Sequence, residues 1–279
     1  VARRSEANEK LLFNLVTSSD GLESFDRQAF VELLKSEFGE RLQGVIHTIN
    51  DDKGDRVEAR SGDSELVYGE AFITETLHEL NFDIEMSSFF QTNPACAERL
   101  YAEVIAAVSA SDDASTGSKP FNTGEYIMDL FCGTGTIAQM LARHTGKEII
   151  GVDIVEQAII DARKSAKNNG TENVEFHAAD VGKFLLEFPE YKGRIKSIVL
   201  DPPRAGISPK TLRKVIRLGA ERLVYVSCNP ATQARDIVTL REFGYELKRL
   251  KLVDQFPHTA HVEAIAVFEK NLKASNLDE

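Results

Sequence analysis

The sequence predicts an α/β fold from Tyr126 onward, with a mostly parallel sheet and helices on both faces, preceded by a smaller α+β domain. Two observations support this. Strand-like and helix-like segments alternate along residues 126–268, a rhythm that is typical of a parallel sheet. The 279 residues are 42% hydrophobic and 28% charged, the composition of an ordinary globular chain with room for one large domain or two modest ones.

The smaller domain is predicted over residues 1–93, where Asp26 is a suitable helix cap. Its predicted elements are strands at 11–16, 44–49 and 65–73 and a helix over 26–42. The turn-rich stretch 50–55 separates the last two strands.

The larger domain is predicted over residues 94–279. A helix over 94–108 opens it, and a loop rich in Ser, Asp, Gly and Thr follows at 109–124. Its seven predicted strands are 126–131, 147–153, 173–178, 195–201, 222–227, 245–253 and 262–268. Its predicted helices begin near 136 and cover 155–168, 181–187, 208–218 and 231–241.

A glycine-containing loop follows the first strand of the larger domain. The segment Asp129–Ala138 contains the pattern Gly-x-Gly-x-x-Ala. Glycines let the backbone turn tightly and approach a ligand, and the helix that follows offers free amides. The next strand ends at Asp153, where a carboxylate can accept both hydroxyls of an adenosine ribose. The loop therefore predicts a ligand of the nucleotide type.

Three acids favour S-adenosylmethionine over a dinucleotide, although both ligands suit this loop. Asp129 opens the loop, which disfavours a pyrophosphate but suits a cofactor that carries an ammonium and a sulfonium. Asp180 follows the third strand, where an adenine amino group can donate to it. Asp201 ends the fourth strand, before two prolines that make a rigid turn. The predicted cofactor is S-adenosylmethionine.

Charge is unevenly distributed along the chain. The 33 Lys and Arg against 44 Asp and Glu give a net charge of −11, which argues against a protein that coats nucleic acid. Yet the segment Lys192–Arg222, here called the basic window, carries about +7. Because the window surrounds Asp201 and leads towards Cys228, we expect its charge to lie near the chemistry.

Cys228 follows the fifth strand directly and is the predicted nucleophile. A helix amino terminus and the basic window favour its thiolate. Glu263, at the entrance of the last strand, is either a buried structural carboxylate or a general base. His258 and His261 lack the i, i+4 spacing of zinc peptidases, and three cysteines are too few for a four-cysteine cluster. We therefore predict neither a metal ion nor an iron–sulfur cluster.

These motifs, in this order, resemble the RNA uracil-5-methyltransferases, which form 5-methyluridine in tRNA and rRNA. The resemblance covers nearly the whole chain and implies a Rossmann-like fold that uses S-adenosylmethionine. It also implies that the domain over residues 1–93 is part of the family's central domain and contacts RNA. It rests on the motifs Ser88–Asn93, Asp129–Thr136, Asp201–Arg204, Ser227–Thr232 and His261–Glu263. The wording of the first motif is closer to the ribosomal-RNA branch.

The resemblance implies that Cys228 is the nucleophile and Glu263 the general base. The residues that it places at the cofactor are Gln91, Phe131, Gly133, Gly135, Thr136, Asp153, Asp180 and Asp201. The uridine must leave the RNA stack to react, and Phe89 or Phe90 is expected to stack on it, with Arg204 also at the substrate. In this chemistry a thiolate adds to carbon 6 of uracil, and a base later removes the proton from carbon 5.

Four alternatives differ from this interpretation. The first is a cytosine-5 RNA methyltransferase. By family resemblance those enzymes have a cysteine directly after the proline of the fourth-strand motif, whereas in this chain Arg204 follows Pro203. Amino-group methyltransferases usually have an aromatic residue there, and Asp129 argues against a dehydrogenase. A catalytically silent RNA-binding or assembly factor would not need both Cys228 and Glu263.

The expected setting is intracellular and soluble, in the cytoplasm or an organelle. No apolar run reaches the roughly 18 residues of a membrane span, and three cysteines favour a reducing compartment. The amino terminus has no apolar segment of a secretory signal and is expected to be a cut or processed end. Many relatives carry an amino-terminal RNA-binding barrel that is not found in this sequence, so we expect the chain to begin within the family's central domain and to bind RNA weakly alone.

Overall fold

The computed structural model describes residues 1–20, 22, 25–51, 64–110, 122 and 124–271. The chain divides into two compact units, Val1–Phe90 and Gln91–Glu279. Most of the predicted loop at 109–124 and of the predicted turn at 50–55 lies outside the described residues. Among the described residues, no helix is long and apolar enough to cross a membrane.

The first unit combines a four-stranded sheet, a two-stranded hairpin and one helix. Its elements are the strands β1 (Ala2–Arg4), β2 (Leu11–Thr17), β3 (Leu42–Ile49), β4 (Ser64–Gly69), β5 (Phe72–Leu77) and β6 (Leu80–Glu85) and the helix α1 (Arg27–Phe38). The sheet has the order β1-β2-β3-β4, with β2 and β3 parallel and connected through α1. Asp26 caps α1 as predicted, since its Oδ1 accepts from the Ala29 amide at 2.9 Å.

Two glycines correct the predicted boundaries in this unit. The predicted strand 65–73 is wrong as a single element, because Gly69 adopts φ +67 and ends β4 before β5 begins. A Cβ at Gly69 would lie 2.1 Å from the Gln43 carbonyl oxygen, so the close approach also requires glycine. The predicted helix 26–42 ends early, at Phe38, because Gly39 adopts φ +53.

The second unit contains the predicted alternation of strands and helices. Its strands are β7 (Tyr126–Leu130), β8 (Ile149–Asp153), β9 (Val174–Ala178), β10 (Ile195–Leu200), β11 (Arg222–Ser227), β12 (Tyr245–Val253) and β13 (Glu263–Lys270). Its helices are α2 (Pro94–Ser109), α3 (Thr136–Thr145), α4 (Glu156–Asn168), α5 (Val181–Glu187), α6 (Pro209–Arg217) and α7 (Pro230–Glu242).

The seven-stranded sheet has the order β12-β13-β11-β10-β7-β8-β9. Only β13 is antiparallel to its neighbours β11 and β12, which confirms the predicted mostly parallel sheet. The strand order reverses direction between β7 and β10, and ligands of such sheets bind in the crevice at the carboxyl ends of the strands there. Because β13 is reversed, its first residue, Glu263, lies at this same end of the sheet.

Helix α2 runs alongside the sheet with its amino end towards the crevice. At that end, Gln255 Nε2, just beyond the carboxyl end of β12, donates to the Asn93 carbonyl at 3.1 Å. At the opposite end, Arg222 Nη1, at the start of β11, donates to the Ala107 carbonyl at 2.7 Å. These two hydrogen bonds fix the direction of α2. The middle turns of α2, which include the buried Tyr101, pack inside the unit.

Candidate active site

The loop after β7 is shaped by backbone conformations that favour glycine. Phe131, Gly133 and Gly135 adopt φ of +66, +52 and +74. A Cβ at Gly135 would lie 2.4 Å from the Phe176 ring, whereas a Cβ at Gly133 would meet nothing within 4 Å. Helix α3 then begins at the buried Thr136 without a side-chain cap, so its first amides have no side-chain acceptor. The loop therefore presents backbone to the open space at the crevice.

Asp129 is buried beneath this loop with an uncompensated carboxylate. The residue is 0% exposed, and neither carboxylate oxygen has a hydrogen-bond partner among the described residues. Burial and the nearby Asp201 raise the pKa of Asp129 well above its usual range, while the Ala138 amide acts in the opposite direction without reaching hydrogen-bond geometry. A buried acid of this kind is costly unless a cation or donor meets it.

Asp153 lies at the end of β8 and holds the glycine loop. Its Oδ2 accepts from the Gly133 amide and its Oδ1 from the Val155 amide, both at 2.9 Å. Each oxygen keeps a further lone pair for a ligand hydroxyl. The next residue, Ile154, is 68% exposed, which is unusual for a large apolar side chain beside a buried strand.

Asp180 has a local structural role. It is exposed and caps α5, since its Oδ1 accepts from the Lys183 amide at 2.9 Å. This contact uses one oxygen and leaves the second without a described partner in the cap. The predicted contact of Asp180 with a cofactor stays a prediction.

Cys228 and Glu263 meet across neighbouring strands. Ser227 pairs with Ala264 in the antiparallel register of β11 and β13, so the next position on each strand brings Cys228 opposite Glu263, with Cα atoms roughly 5 Å apart in such pairs. Glu263 is only 3% exposed. Burial raises its pKa, and the Arg204 guanidinium opposes that increase. A carboxylate with a raised pKa is suited to accept a proton.

Asp201 adds a third carboxylate to this group. It follows β10, the strand between β7 and β11. Burial, and then the charge of Glu263, raise the pKa of Asp201 to about 7. The crevice thus holds Asp129, Asp201 and Glu263 close enough to affect each other's protonation.

The expectation of a favoured thiolate at Cys228 is wrong for the protein alone. Burial raises the pKa of Cys228, and the carboxylates of Glu263 and Asp201 raise it further. Arg204 acts in the opposite direction but is the weaker influence. Burial and these two carboxylates outweigh the helix terminus and the basic residues that the sequence placed beside the cysteine.

The loop that carries Arg204 is fastened to the cysteine loop. Asn229 Nδ2 and Thr232 Oγ1 both donate to the Arg204 carbonyl oxygen, at 3.0 and 3.3 Å. Gly206, in the same loop, adopts φ +74, and a Cβ there would lie 2.6 Å from Arg235. The residues after Cys228 therefore position Arg204, a role that sequence reasoning did not assign to Asn229 or Thr232.

Helix α7 supports this loop from below through Asp236. The Asp236 carboxylate is buried and accepts from the Tyr225 hydroxyl at 2.8 Å and from the Ile207 amide at 3.0 Å. Arg235 Nη2 donates to the same carboxylate at 2.8 Å. Gln233 Nε2 donates to the carbonyls of Tyr225 and Ala264 and joins β11 to β13. In the sequence these residues appear only as polar positions on a helix, so their contacts could not be predicted.

Gln91 and Tyr101 also belong to the crevice. Both are buried, and the Gln91 side chain is the hydrogen-bonding neighbour of the Tyr101 hydroxyl. Burial, followed by the charge of Asp201, raises the pKa of Tyr101, and Asp129 and Glu263 act in the same direction. The sequence predicted Gln91 as a site residue. It did not predict Tyr101, because the spacing of Tyr101 on α2 is that of an ordinary core residue.

The two candidate stacking residues differ in environment. Phe90 packs against the core of the first unit, with its ring centroid 6.1 Å from that of Phe82. Phe89 is 78% exposed. Of the two, Phe89 is the aromatic side chain with a free ring face.

The basic window is divided between the two ends of the sheet, so the expectation that its charge lies near the chemistry is met only in part. Lys196 and Arg222 stand at the amino ends of β10 and β11, roughly 16 Å of strand away from the site. Both are buried and paired, with Glu221 at 2.6 Å and Glu269 at 2.5 Å. Of the window, Arg204 is the cation beside the reactive groups.

No metal site accompanies these groups in the part of the chain that the structure describes, where no cluster of three or more His, Cys, Asp or Glu could hold a metal ion. His261, just before Glu263, has its Nδ1 3.4 Å from Arg204 Nη2. Cys96, Cys132 and Cys228 are all free thiols.

Comparison with known proteins identifies the family. Residues 51–271 match the tRNA (Uracil-5-)-methyltransferase family. The chain belongs to this family. It is 38% identical over 273 residues to an uncharacterized RNA methyltransferase of Clostridium acetobutylicum, covering 98% of this chain and 56% of that protein. It is 39% identical over 272 residues to another from Caldanaerobacter subterraneus subsp. tengcongensis, covering 97% of this chain and 56% of that protein.

A solved family structure has the same fold. The crystal structure of Pyrococcus abyssi tRNA (uracil-54, C5)-methyltransferase in complex with S-adenosyl-L-homocysteine superposes with a TM-score of 0.73 at 30% identity, covering 96% of this chain and 58% of that chain. The predicted Rossmann-like methyltransferase fold is thereby confirmed. The chain spans a little over half the length of these relatives.

Proposed function

We propose that this chain carries the catalytic part of an RNA methyltransferase that transfers a methyl group from S-adenosylmethionine to carbon 5 of a uridine in tRNA or rRNA. One observation carries the proposal. Cys228 and Glu263 stand opposite each other at the ends of β11 and β13, beside the crevice where ligands of this sheet bind. A nucleophile and a base so arranged suit a reaction that begins with addition and ends with elimination.

The cofactor fits the electrostatics of the crevice. S-adenosylmethionine, when bound, supplies an electrophilic methyl group on a cationic sulfonium and also carries an ammonium. Asp129 offers a buried carboxylate without a described partner, and Asp201 is held partly protonated near neutral pH. A cation at this point would compensate both acids and lower the pKa of Cys228. Gly133 has open space beside its backbone. The other residues proposed to complete the cofactor site are Gln91, Phe131, Gly135, Thr136, Asp153 and Asp180.

The residues of the chain divide the reaction between them. The Cys228 thiolate adds to carbon 6 of uracil, forming a sulfur–carbon bond and moving electron density to carbon 5. Carbon 5 then accepts the methyl group, whose bond to the sulfonium breaks with the electron pair left on a neutral thioether. Glu263 removes the proton from carbon 5. The electron pair of that bond restores the double bond between carbons 5 and 6, and the bond to Cys228 breaks. Arg204 opposes the raised pKa of both residues, and so favours the thiolate and the carboxylate that these steps require.

The uridine is proposed to enter as a base flipped out of the RNA. Phe89 offers the exposed aromatic face that an unstacked base can use. Arg204 is proposed to contact the substrate directly, since its side chain is exposed beside the reactive pair.

An RNA that contains 5-fluorouridine tests the proposal, because fluorine at carbon 5 cannot be removed as a proton and leaves the cysteine adduct intact. With S-adenosylmethionine and tRNA or rRNA carrying this base, we expect a denaturation-resistant protein–RNA complex on a gel. Cys228→Ala should form none while binding S-adenosylhomocysteine by calorimetry, and Cys96→Ala should behave as the unchanged protein. A folded, cofactor-binding chain that forms no adduct with either RNA contradicts the proposal and favours a silent RNA-binding factor.

A further inference from the structure

Helix α6 carries its exposed charge as a single stripe. Lys210, Arg213 and Arg217 are exposed and follow the i, i+3, i+7 spacing of one helix face. The buried residues of α6 are Leu212, Val215 and Ile216, which at 100° per residue occupy the opposite face. We call Lys210, Arg213 and Arg217 the α6 stripe.

The α6 stripe is not compensated within the described residues. Helix α6 contains no acidic residue, and none of the three cations forms a described ion pair. Its fourth cation, Lys214, is used internally, since Nζ donates to the Gly182 carbonyl at 2.6 Å. Helix α4 gives the contrast, because its exposed surface mixes Glu156 with basic residues as a solvated face usually does.

The α6 stripe begins at the end of the sheet where the crevice lies. Lys210 is the second residue of a helix that follows the loop carrying Arg204. From Lys210 to Arg217 the helix rises about 10 Å, a length that covers about three phosphates of one nucleic-acid strand at roughly 3.4 Å of axis each. In a chain with a net charge of −11, this is a local surface to which a polyanion is attracted.

We propose that the α6 stripe binds phosphates of the RNA that flank the target uridine. The inference rests on the proposed function and assigns part of its substrate affinity to α6. Phosphate contacts fix the register of a protein on nucleic acid without reading its sequence. The stripe would therefore hold the strand while the target base enters the crevice, and would serve tRNA and rRNA alike.

Charge reversal at the stripe tests the inference against a matched control. The stripe variant is Lys210→Glu with Arg213→Glu and Arg217→Glu. The control carries the same change in charge on exposed cations elsewhere in the second unit, as Arg99→Glu with Lys167→Glu and Lys192→Glu. Affinity for a labelled tRNA transcript and a labelled rRNA fragment is measured at several salt concentrations, with S-adenosylhomocysteine binding and thermal unfolding followed in parallel.

We expect the stripe variant to bind both RNAs roughly tenfold or more weaker than the control, and its salt dependence, as the slope of log K against log salt, to fall by about 2. Cofactor affinity should stay unchanged. Equal RNA affinity and slope in the two variants overturns the inference and leaves the proposed function intact. An unchanged protein that binds cofactor but no RNA contradicts the proposed function and the inference together.

Discussion

The two ends of the seven-stranded sheet treat buried charge differently. At the amino ends of β10 and β11, Lys196 pairs with Glu221 at 2.6 Å and Arg222 with Glu269 at 2.5 Å. At the carboxyl ends, acids gather without a matching buried cation among the described residues, and the pKa of Asp201 rises to about 7 through burial and the charge of Glu263. The same strands thus connect an end with paired buried charges to an end where acids raise one another's pKa.

This difference teaches where stability and function are located. Paired buried charges hold strands in register, and removing one partner is costly. Like charges held together in a crevice cost stability in the free protein, and groups with shifted pKa values concentrate at functional sites for this reason. A cationic ligand at the carboxyl end would recover that cost as binding free energy.

The largest expected effect is on turnover, and it is tested by comparing two substitutions at opposite ends of β13. Glu263→Gln at the crevice end should reduce multiple-turnover formation of 5-methyluridine by at least ~100-fold, since a general base contributes about that much or more. The protein should still attack carbon 6, so a methylated RNA adduct should accumulate on denaturing gels even with ordinary uridine. Turnover of methyl-labelled cofactor and adduct yield are the measurements.

Glu269→Gln is the control at the paired end of the same strand. It should keep activity and lower the free energy of unfolding by about 2–4 kcal/mol, because Arg222 loses its carboxylate but keeps the Ala107 carbonyl. Equal losses of turnover in both variants, with no adduct for Glu263→Gln, would mean that Glu263 is a structural carboxylate.

The next effect is the pH dependence that the crevice acids give the protein. Because the pKa of Asp201 is raised to about 7 in the folded state, the folded protein keeps a proton that the unfolded chain has lost from about pH 4 upward. Stability therefore falls as pH rises from about 4 to 7, by on the order of a few kcal/mol. Asp201→Asn should flatten this dependence in denaturant unfolding measured across that range.

Cofactor binding should show the opposite trend with pH. A cationic ligand selects the deprotonated carboxylates, so the affinity for S-adenosylmethionine should rise with pH up to about 7, and binding should release protons in calorimetry with buffers of different ionisation enthalpy. Asp254→Asn, at an exposed acid beyond β12, should leave both profiles unchanged. Flat profiles in the unchanged protein would show that Asp201 and its neighbours do not bind the cation.

The sequence predicted more of the fold than of the electrostatics. Alternating strand and helix signals identified all seven strands of the second unit, because parallel buried strands and amphipathic helices have strong local patterns. The protonation of Cys228 was mispredicted, and the basic window is divided between the two ends of the sheet, because both properties depend on which strand ends meet in space. Tyr101 was missed for a related reason, since a core position and a crevice position have the same spacing on a helix.

The smallest expected effect separates Tyr101 from an ordinary buried tyrosine. The residue is 6% exposed, and its hydroxyl stays neutral because burial and Asp201 raise its pKa. The hydroxyl can therefore donate a hydrogen bond within the group of acids. Tyr101→Phe keeps the packing but removes that donor and the partner of Gln91. We expect cofactor affinity to fall about fivefold to tenfold, equivalent to ~1 kcal/mol, with a shift in the pH profile of turnover.

Tyr245→Phe is the matched change at the other end of the sheet, where the buried Tyr245 hydroxyl donates to the Ala220 carbonyl at 2.6 Å. Both variants lose one buried hydroxyl, so both should lose a similar free energy of unfolding, about 1 kcal/mol. Only Tyr101→Phe should change the pH profile and the cofactor affinity. If the two variants have the same profile, Tyr101 contributes to the core alone, and the acids of the crevice are positioned without it.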